Sequence, residues 1–211
     1  MRFEDRKDAG RQLAERLESY KGRDTVVLAL PRGGVVLGYE IAKYLGAPLD
    51  LIITRKIGHP MSPEYAICAI AEDGHMICNE AERRGVDEEW FSEESKKEQE
   101  EAKRRRKLYL KGKSQNVKGK TVIIVDDGIA TGFTMSLAIS EAKHGNPEKI
   151  VVAVPVAPKE TAEEISKEVD KFVALDTPEH YLGAVGAYYV RFEQVSDEEV
   201  ISLLENQSKN T

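Results

Sequence analysis

Apolar positions in this chain fall into helical and strand-length groups that alternate. Residues 5–20 place Ala9, Leu13, Ala14 and Leu17 at helical intervals with charges between, which predicts an amphipathic helix ending near Gly22. Thr25 to Leu30 is a short apolar run of strand length. Turn residues Pro31 to Gly34 follow, then a helix from Val35 to Leu45, stopped by Gly46 and Pro48. Leu49 to Thr54 predicts a second strand, and Arg55 to Pro63, with Gly58 and Pro60, predicts a loop. Tyr65–Ala71 and His75–Cys78 flank Glu72, Asp73 and Gly74, an Asp-Gly hairpin signal. Asp87 is placed to cap a long helix reaching about Leu110. Val122 to Val125 is the next buried strand. Met135, Ala138, Ile139 and Ala142 form one stripe of the helix after it, which ends at Gly145 to Pro147. Lys149–Pro155 reads as a strand, 160–169 as a helix and Lys171–Leu175 as a last core strand. An irregular stretch rich in Gly and Tyr, 178–192, precedes a short helix over 197–205. Strands that alternate with helices predict an α/β fold: a twisted, mostly parallel sheet with helices on both faces. Residues 1–211 read as one domain, with 80–112 a charged helical insertion.

That insertion is polar all round. Between Ser92 and Lys107 the only apolar residue is Ala102, and Glu93/Lys97, Glu100/Arg104 and Glu101/Arg105 stand at i,i+4 with the acid leading. A solvated face is expected, with the run Arg104 to Lys107 the one feature suited to an acidic partner. The net charge of −6 argues against broad binding of nucleic acid or of an anionic membrane. No apolar run reaches membrane-spanning length and Met1 to Asp5 opens no signal-peptide core, so a cytoplasmic location is expected. Cys68 and Cys78 fit neither a CxxC nor a CxxxC pair and are expected as free buried thiols. His59, His75, His144 and His180 form no ligand-spaced pair, so no structural zinc is expected.

The chemistry concentrates at three loops that follow candidate parallel strands, the edge where open α/β sheets bind ligands. After Val125 stand two adjacent carboxylates, Asp126 and Asp127, then Gly128, Ile129, Ala130, Thr131, Gly132, Phe133 and Thr134 leading into a helix. A helix start offers free N–H groups and partial positive charge, which suits a phosphate. Gly132 allows close approach, and Thr131 and Thr134 add hydroxyl donors. Like charges repel, so the acid pair suits a sugar diol rather than the phosphate. The second loop holds Arg32, Gly33 and Gly34, a guanidinium fork beside exposed backbone amides, which fits a diphosphate. The third holds adjacent cations, Arg55 and Lys56, beside Gly58. A ribose bearing a 5-phosphate and a 1-diphosphate matches all three. Mg2+ would accompany it on the substrate oxygens, near Asp126 and Asp127 but without direct protein ligands.

At these residues the chain resembles the purine/pyrimidine phosphoribosyltransferase family. Val122 to Thr134 looks like that family's thirteen-residue PRPP-binding motif, Pro31 to Gly34 like its pyrophosphate loop, and the segment from Arg55 through the hairpin like its flexible loop. Ala184 to Tyr189 is similar to the C-terminal segment that closes on the base, so 176–195 is expected to form a hood. Within the family the look is nearest to predicted phosphoribosyltransferases of unassigned base. The resemblance implies transfer of ribose 5-phosphate from PRPP to a nitrogenous base, or a related nitrogen acceptor, with release of pyrophosphate, as in nucleotide salvage. It assigns Asp126 and Asp127 to the ribose hydroxyls, Arg32, Arg55 and Lys56 to the diphosphate, and 128–134 to the 5-phosphate. Hypoxanthine/guanine members carry an Asp just before the Thr-Gly pair; here Ala130 stands there, so a 6-oxopurine acceptor served by that base is not expected. Phe133 sits where members often have Gly or Lys and is expected to shape the phosphate pocket. Glu64 and Glu72 are candidates for a general acid or base. Tyr181, Tyr188 and Tyr189 either stack the base or serve as core aromatics under a lid. A homodimer is expected by family analogy. A second reading stays open: a non-catalytic module of the same fold that senses PRPP or a nucleotide.

Overall fold

The computed structural model describes residues 2–111 and 114–209. Its elements in chain order are α1 (Arg6–Arg16), β1 (Thr25–Ala29), α2 (Gly33–Leu45), β2 (Leu49–Leu51), β3 (Thr54–His59), β4 (Ser62–Ala71), β5 (Met76–Cys78), α3 (Glu80–Arg84), α4 (Glu88–Leu110), β6 (Thr121–Val125), α5 (Phe133–His144), β7 (Lys149–Val156), α6 (Lys159–Ser166), β8 (Lys171–Asp176) and α7 (Asp197–Ser208). Five strands form one all-parallel sheet in the order β2-β1-β6-β7-β8. Side chains alternate across it. Val27, Ala29, Ile123 and Val125 pack with α1, α2 and α7, while Val26, Leu28, Val122 and Ile124 pack with α5 and α6. Covering both faces is why these strands read as unbroken apolar runs. The predicted α/β class is the fold observed.

The second predicted strand divides in two. Parallel pairing ends at Leu51, and β3 begins at Thr54 in a separate antiparallel sheet of order β3-β4-β5. The expected loop from Arg55 to Pro63 is therefore mostly strand, reversing at Pro60 and Met61. Gly58 and Pro63 mimic loop punctuation but face each other at a bulge. A Cβ on Gly58 would lie 2.1 Å from the Pro63 carbonyl oxygen. The Asp-Gly turn joins β4 to β5 as predicted. It brings Cys68 directly opposite Cys78, and the two are joined by a disulfide. This corrects the expectation of free thiols: hairpin register, not sequence spacing, sets their distance. One face of the small sheet lies on α5 through Ala69, Ala71, Ile77, Leu137 and Phe133. The other carries Ile57, Cys68 and Ile70 under Phe91 of α4.

Helix α4 starts at the Asp87 cap, whose side chain accepts from Trp90 N. It is more than a solvated face. Phe91, Glu98, Ala102 and Tyr109 recur at helical spacing and are buried. The inner stripe is partly polar, which hid it from the sequence. Glu98 takes Arg55 at 2.7 Å, Gln99 Nε2 donates to the Glu72 carbonyl, and Arg106 pairs with Glu72. Of the three predicted i,i+4 pairs, Glu101–Arg105 forms; Lys97, Lys103 and Arg104 instead reach Glu94, Glu100 and Glu101 at i,i+3.

Candidate active site

β6 delivers Asp126 and Asp127 to the carboxyl edge of the parallel sheet, beside the loop that follows β1. The Leu30 amide donates to the Val125 carbonyl at 2.9 Å and locks the two loops together. The Pro31–Arg32 peptide is cis. Gly33 and Gly34 open α2 directly against the acids. A Cβ at Gly33 would lie 1.8 Å from Asp127 Oδ2, and one at Gly34 would lie 2.8 Å from the Val125 carbonyl oxygen and 3.1 Å from Asp126 Oδ1. These glycines let the two loops touch, a role their sequence context does not reveal.

Each carboxylate is held through one oxygen. Asp126 Oδ1 accepts the Asp127 amide at 2.8 Å, and Asp127 Oδ2 accepts Arg6 Nε at 2.7 Å. Burial, then the neighbouring Asp127 charge, pushes Asp126 well above the usual carboxylate range. Burial also raises Asp127, opposed by the Arg6 cation. The pair still reaches solvent, with the Asp127 side chain 16% exposed.

Past the acids, the Ile129 amide donates to the Val156 carbonyl at 2.8 Å, and the Ile129 side chain is buried in the core. Ile129 therefore anchors the loop, and its amide is already used. Gly128 is buried beneath Val185. Ala130 and Thr131 are exposed, and Thr161 Oγ1 donates to the Ala130 carbonyl at 3.3 Å. Gly132 takes φ +85°, a left-handed conformation that suits glycine, and its carbonyl accepts the Ser136 amide. The amides of Phe133, Thr134 and Met135 thus have no partner within α5. Thr134 is half-buried at this start. The Phe133 ring packs under the small sheet against Ala69, Ala71 and Leu137.

The predicted cations part company. Arg32 Nη1 lies 3.6 Å from Asp197, at the start of α7. Arg55 and Lys56 are neighbours on β3, so they face opposite sides of the small sheet. Arg55 turns toward α4 and Glu98. Lys56, opposite Ala69, is exposed on the α5 side, the side of Phe133. Two adjacent cations on a strand cannot share one ligand face, which corrects the expectation that they act together. Glu72 is paired to Arg106, and the Glu64 side chain lies outside what the structure describes.

The C-terminal segment is bound to the chain start. Phe3 bridges to Tyr189, and Arg191 pairs with Glu4 and Asp5. Tyr188 and Tyr189 are buried. Tyr189 Oη donates to the Asp127 carbonyl at 2.6 Å, and Tyr188 Oη accepts the Leu182 amide at 2.9 Å. Both rings are packed within the core, so the core-aromatic alternative describes them. Tyr181 differs. It stacks on Tyr188 at 5.4 Å, and its buried hydroxyl has no partner among the described residues. It lines an open cavity of about 590 Å³ with Lys159, Thr161 and Glu179. Arg6 is the residue sequence reasoning missed: nothing marks it out from the other arginines of a charged helix.

The Phosphoribosyl transferase domain description matches residues 4–190. The chain belongs to this phosphoribosyl transferase family. A Mycobacterium tuberculosis protein named "Putative phosphoribosyl transferase" is 41% identical over 206 residues, which are 96% of this chain and 46% of that protein. The chain thus spans about half the length of the curated relatives it matches. The crystal structure of TT1426 from Thermus thermophilus matches this chain with a TM-score of 0.76 and 39% identity, covering 98% of it and 99% of TT1426. A hypothetical protein from Neisseria gonorrhoeae with bound ppGpp shares the fold alone, with a TM-score of 0.52 and 15% identity over 98% of each chain.

Proposed function

We propose that this chain transfers ribose 5-phosphate from PRPP to a nitrogen of a small acceptor, releasing pyrophosphate. The reading rests on one observation: two adjacent carboxylates, each tethered through one oxygen, stand at the sheet edge just before a helix start with no side-chain cap among the described residues. The remaining oxygens, Asp126 Oδ2 and Asp127 Oδ1, suit the 2- and 3-hydroxyls of ribose. The amides of Phe133, Thr134 and Met135, with the Thr131 hydroxyl, suit the 5-phosphate. The bond from C1 to the diphosphate breaks, and the diphosphate leaves with the electron pair. Positive charge grows on the ring beside the carboxylates, and the acceptor nitrogen closes on C1 and then loses its proton to solvent. This is catalysis by orientation and electrostatics, with no covalent enzyme intermediate.

Arg32 and Lys56 suit the departing diphosphate, with Arg32 swinging from Asp197. The family resemblance implies Mg2+ carried by substrate oxygens and water, where it would neutralise diphosphate charge. Segment 176–195 serves as the hood, with Tyr181 and the cavity beside Lys159 receiving the acceptor. The same reading makes the chain a cytoplasmic salvage enzyme, dimeric by family analogy. Pyrophosphate release from PRPP over a panel of purine and pyrimidine bases tests it. A second reading, a PRPP-sensing module, draws on the engagement of Arg55 by Glu98 and of Arg32 by Asp197. PRPP binding with no turnover on any base would favour it.

A further inference from the structure

Arg6 joins four parts of the molecule. It lies at the start of α1, and its Nε donates to Asp127 Oδ2 at 2.7 Å. Its Nη1 donates to the Glu193 carbonyl at 2.7 Å, and its guanidinium lies 3.7 Å from the centroid of the Phe192 ring. A Cβ on Gly33 would lie 2.9 Å from its Nε. A guanidinium gripped on a ring face, a carbonyl and a carboxylate has little freedom left, and its side chain is only 12% exposed.

We infer that Arg6 is a positioning residue for the sugar-binding carboxylate: it stays paired with Asp127 Oδ2 when substrate enters and so presents Oδ1 to a ribose hydroxyl. The inference rests on the proposed function. Its physical basis is geometric. A lone Asp side chain rotates freely about its terminal torsion, whereas one pinned through Oδ2 offers the other oxygen in one direction. The pairing also favours the charged form of that buried carboxylate. Burial raises Asp127, and Arg6 opposes that rise. The titratable groups facing the pair are Asp126 from the loop after β6 and Tyr181 and Tyr189 from the C-terminal segment. Behind Arg6, Asp5, Lys7, Arg191, Glu193 and Glu199 line a cavity of about 200 Å³.

The test is PRPP affinity by calorimetry between about pH 5 and 9, with thermal melts, for the wild type, Arg6→Gln, Arg6→Lys and each change combined with Asp127→Asn. PRPP has its own titration, which is common to all arms and cancels in the comparison. A hydroxyl donates a stronger hydrogen bond to a carboxylate than to a carboxylic acid. Losing Arg6 therefore moves the acid limb of affinity upward, by about 1–3 pH units, the effect an adjacent cation has on a carboxylate. Arg6→Lys, a point charge in place of a fork, gives a smaller upward displacement. The displacement is smaller when Asp127 is already Asn, because Arg6 then acts only on Asp126. An acid limb in Arg6→Gln that coincides with wild type, or a loss equal at every pH that tracks the melting temperature, overturns the inference and leaves the proposed function standing. Where Arg6→Gln does not fold, the Arg6→Lys limb decides in the same way. A wild type that binds no PRPP at any pH overturns the proposed function as well.

Discussion

Gly33 and Asp127 touch so closely that a methyl group on the first would overlap the second, with Cβ 1.8 Å from Oδ2. The contact ties the loop after β1 to the acid pair after β6.

Gly33→Ala should therefore injure binding before it injures the fold. The new methyl must displace the Asp127 carboxylate, a side chain that can rotate, and overpacking of this kind costs about 1–3 kcal/mol. The expected result is a melting temperature lower by a few degrees (about 2–4 °C per kcal/mol) and PRPP affinity reduced at least about tenfold, which is 1.4 kcal/mol. Calorimetry and a thermal melt read both. Unchanged affinity would show that the contact does not govern the carboxylate.

Asp126→Asn should stabilise the chain while abolishing PRPP binding. Burial holds the Asp126 carboxyl above its ordinary value, so the folded state binds a proton that the unfolded chain has released. Stability is then lost as pH rises from the ordinary Asp value through the raised one. The variant's advantage, about 1 kcal/mol or ~2–4 °C, is present above the raised value and narrows as pH falls through it. Melts at a series of pH values check the sign, and an advantage that grows as pH falls contradicts it.

Tyr181→Phe and Tyr188→Phe should separate by partner. The Tyr188 hydroxyl accepts the Leu182 amide at 2.9 Å, and its loss costs about 1 kcal/mol. The Tyr181 hydroxyl is buried without a partner among the described residues, so its removal is neutral or mildly stabilising. If Tyr181 contacts the acceptor, Tyr181→Phe raises KM for the acceptor and leaves PRPP affinity alone. Equal melting losses in both variants would refute the distinction.

Asp197→Asn should release Arg32 and shift Tyr109. Burial, then the hydrogen bond to Asp197, pushes Tyr109 up to about 12. Asp197 itself is lowered, first by the Tyr109 hydroxyl and then by Arg104. A lowered carboxyl contributes stability that is present above its ordinary value and lost as pH falls through the lowered one. The stability gap between wild type and variant, at most about 1 kcal/mol for so exposed a cluster, is thus full at pH 6 and closes below pH 4. In the variant Tyr109 titrates nearer the usual phenol value, read by ultraviolet absorbance. An unmoved Tyr109 would argue against the bond.

What the chain order of residues determined here is local. Apolar runs bounded by turn residues specify β1, β6 and β7, and helical spacing specifies α1, α2 and α5, because neighbours along the backbone set both signals. Asp126, Asp127 and the small residues after them mark a candidate ligand loop for the same reason. The tertiary structure alone decided how distant segments meet. Arg6 and Asp127 are 121 positions apart, and no local pattern encodes their pairing. Strand geometry, not spacing, sends Arg55 and Lys56 to opposite faces and sets Cys68 against Cys78. The inner side of α4 escaped notice because its buried stripe includes Glu98, a charge satisfied only by Arg55 from another element. Apolar periodicity is written in one stretch of chain, whereas a charge is satisfied by whatever the fold brings to it.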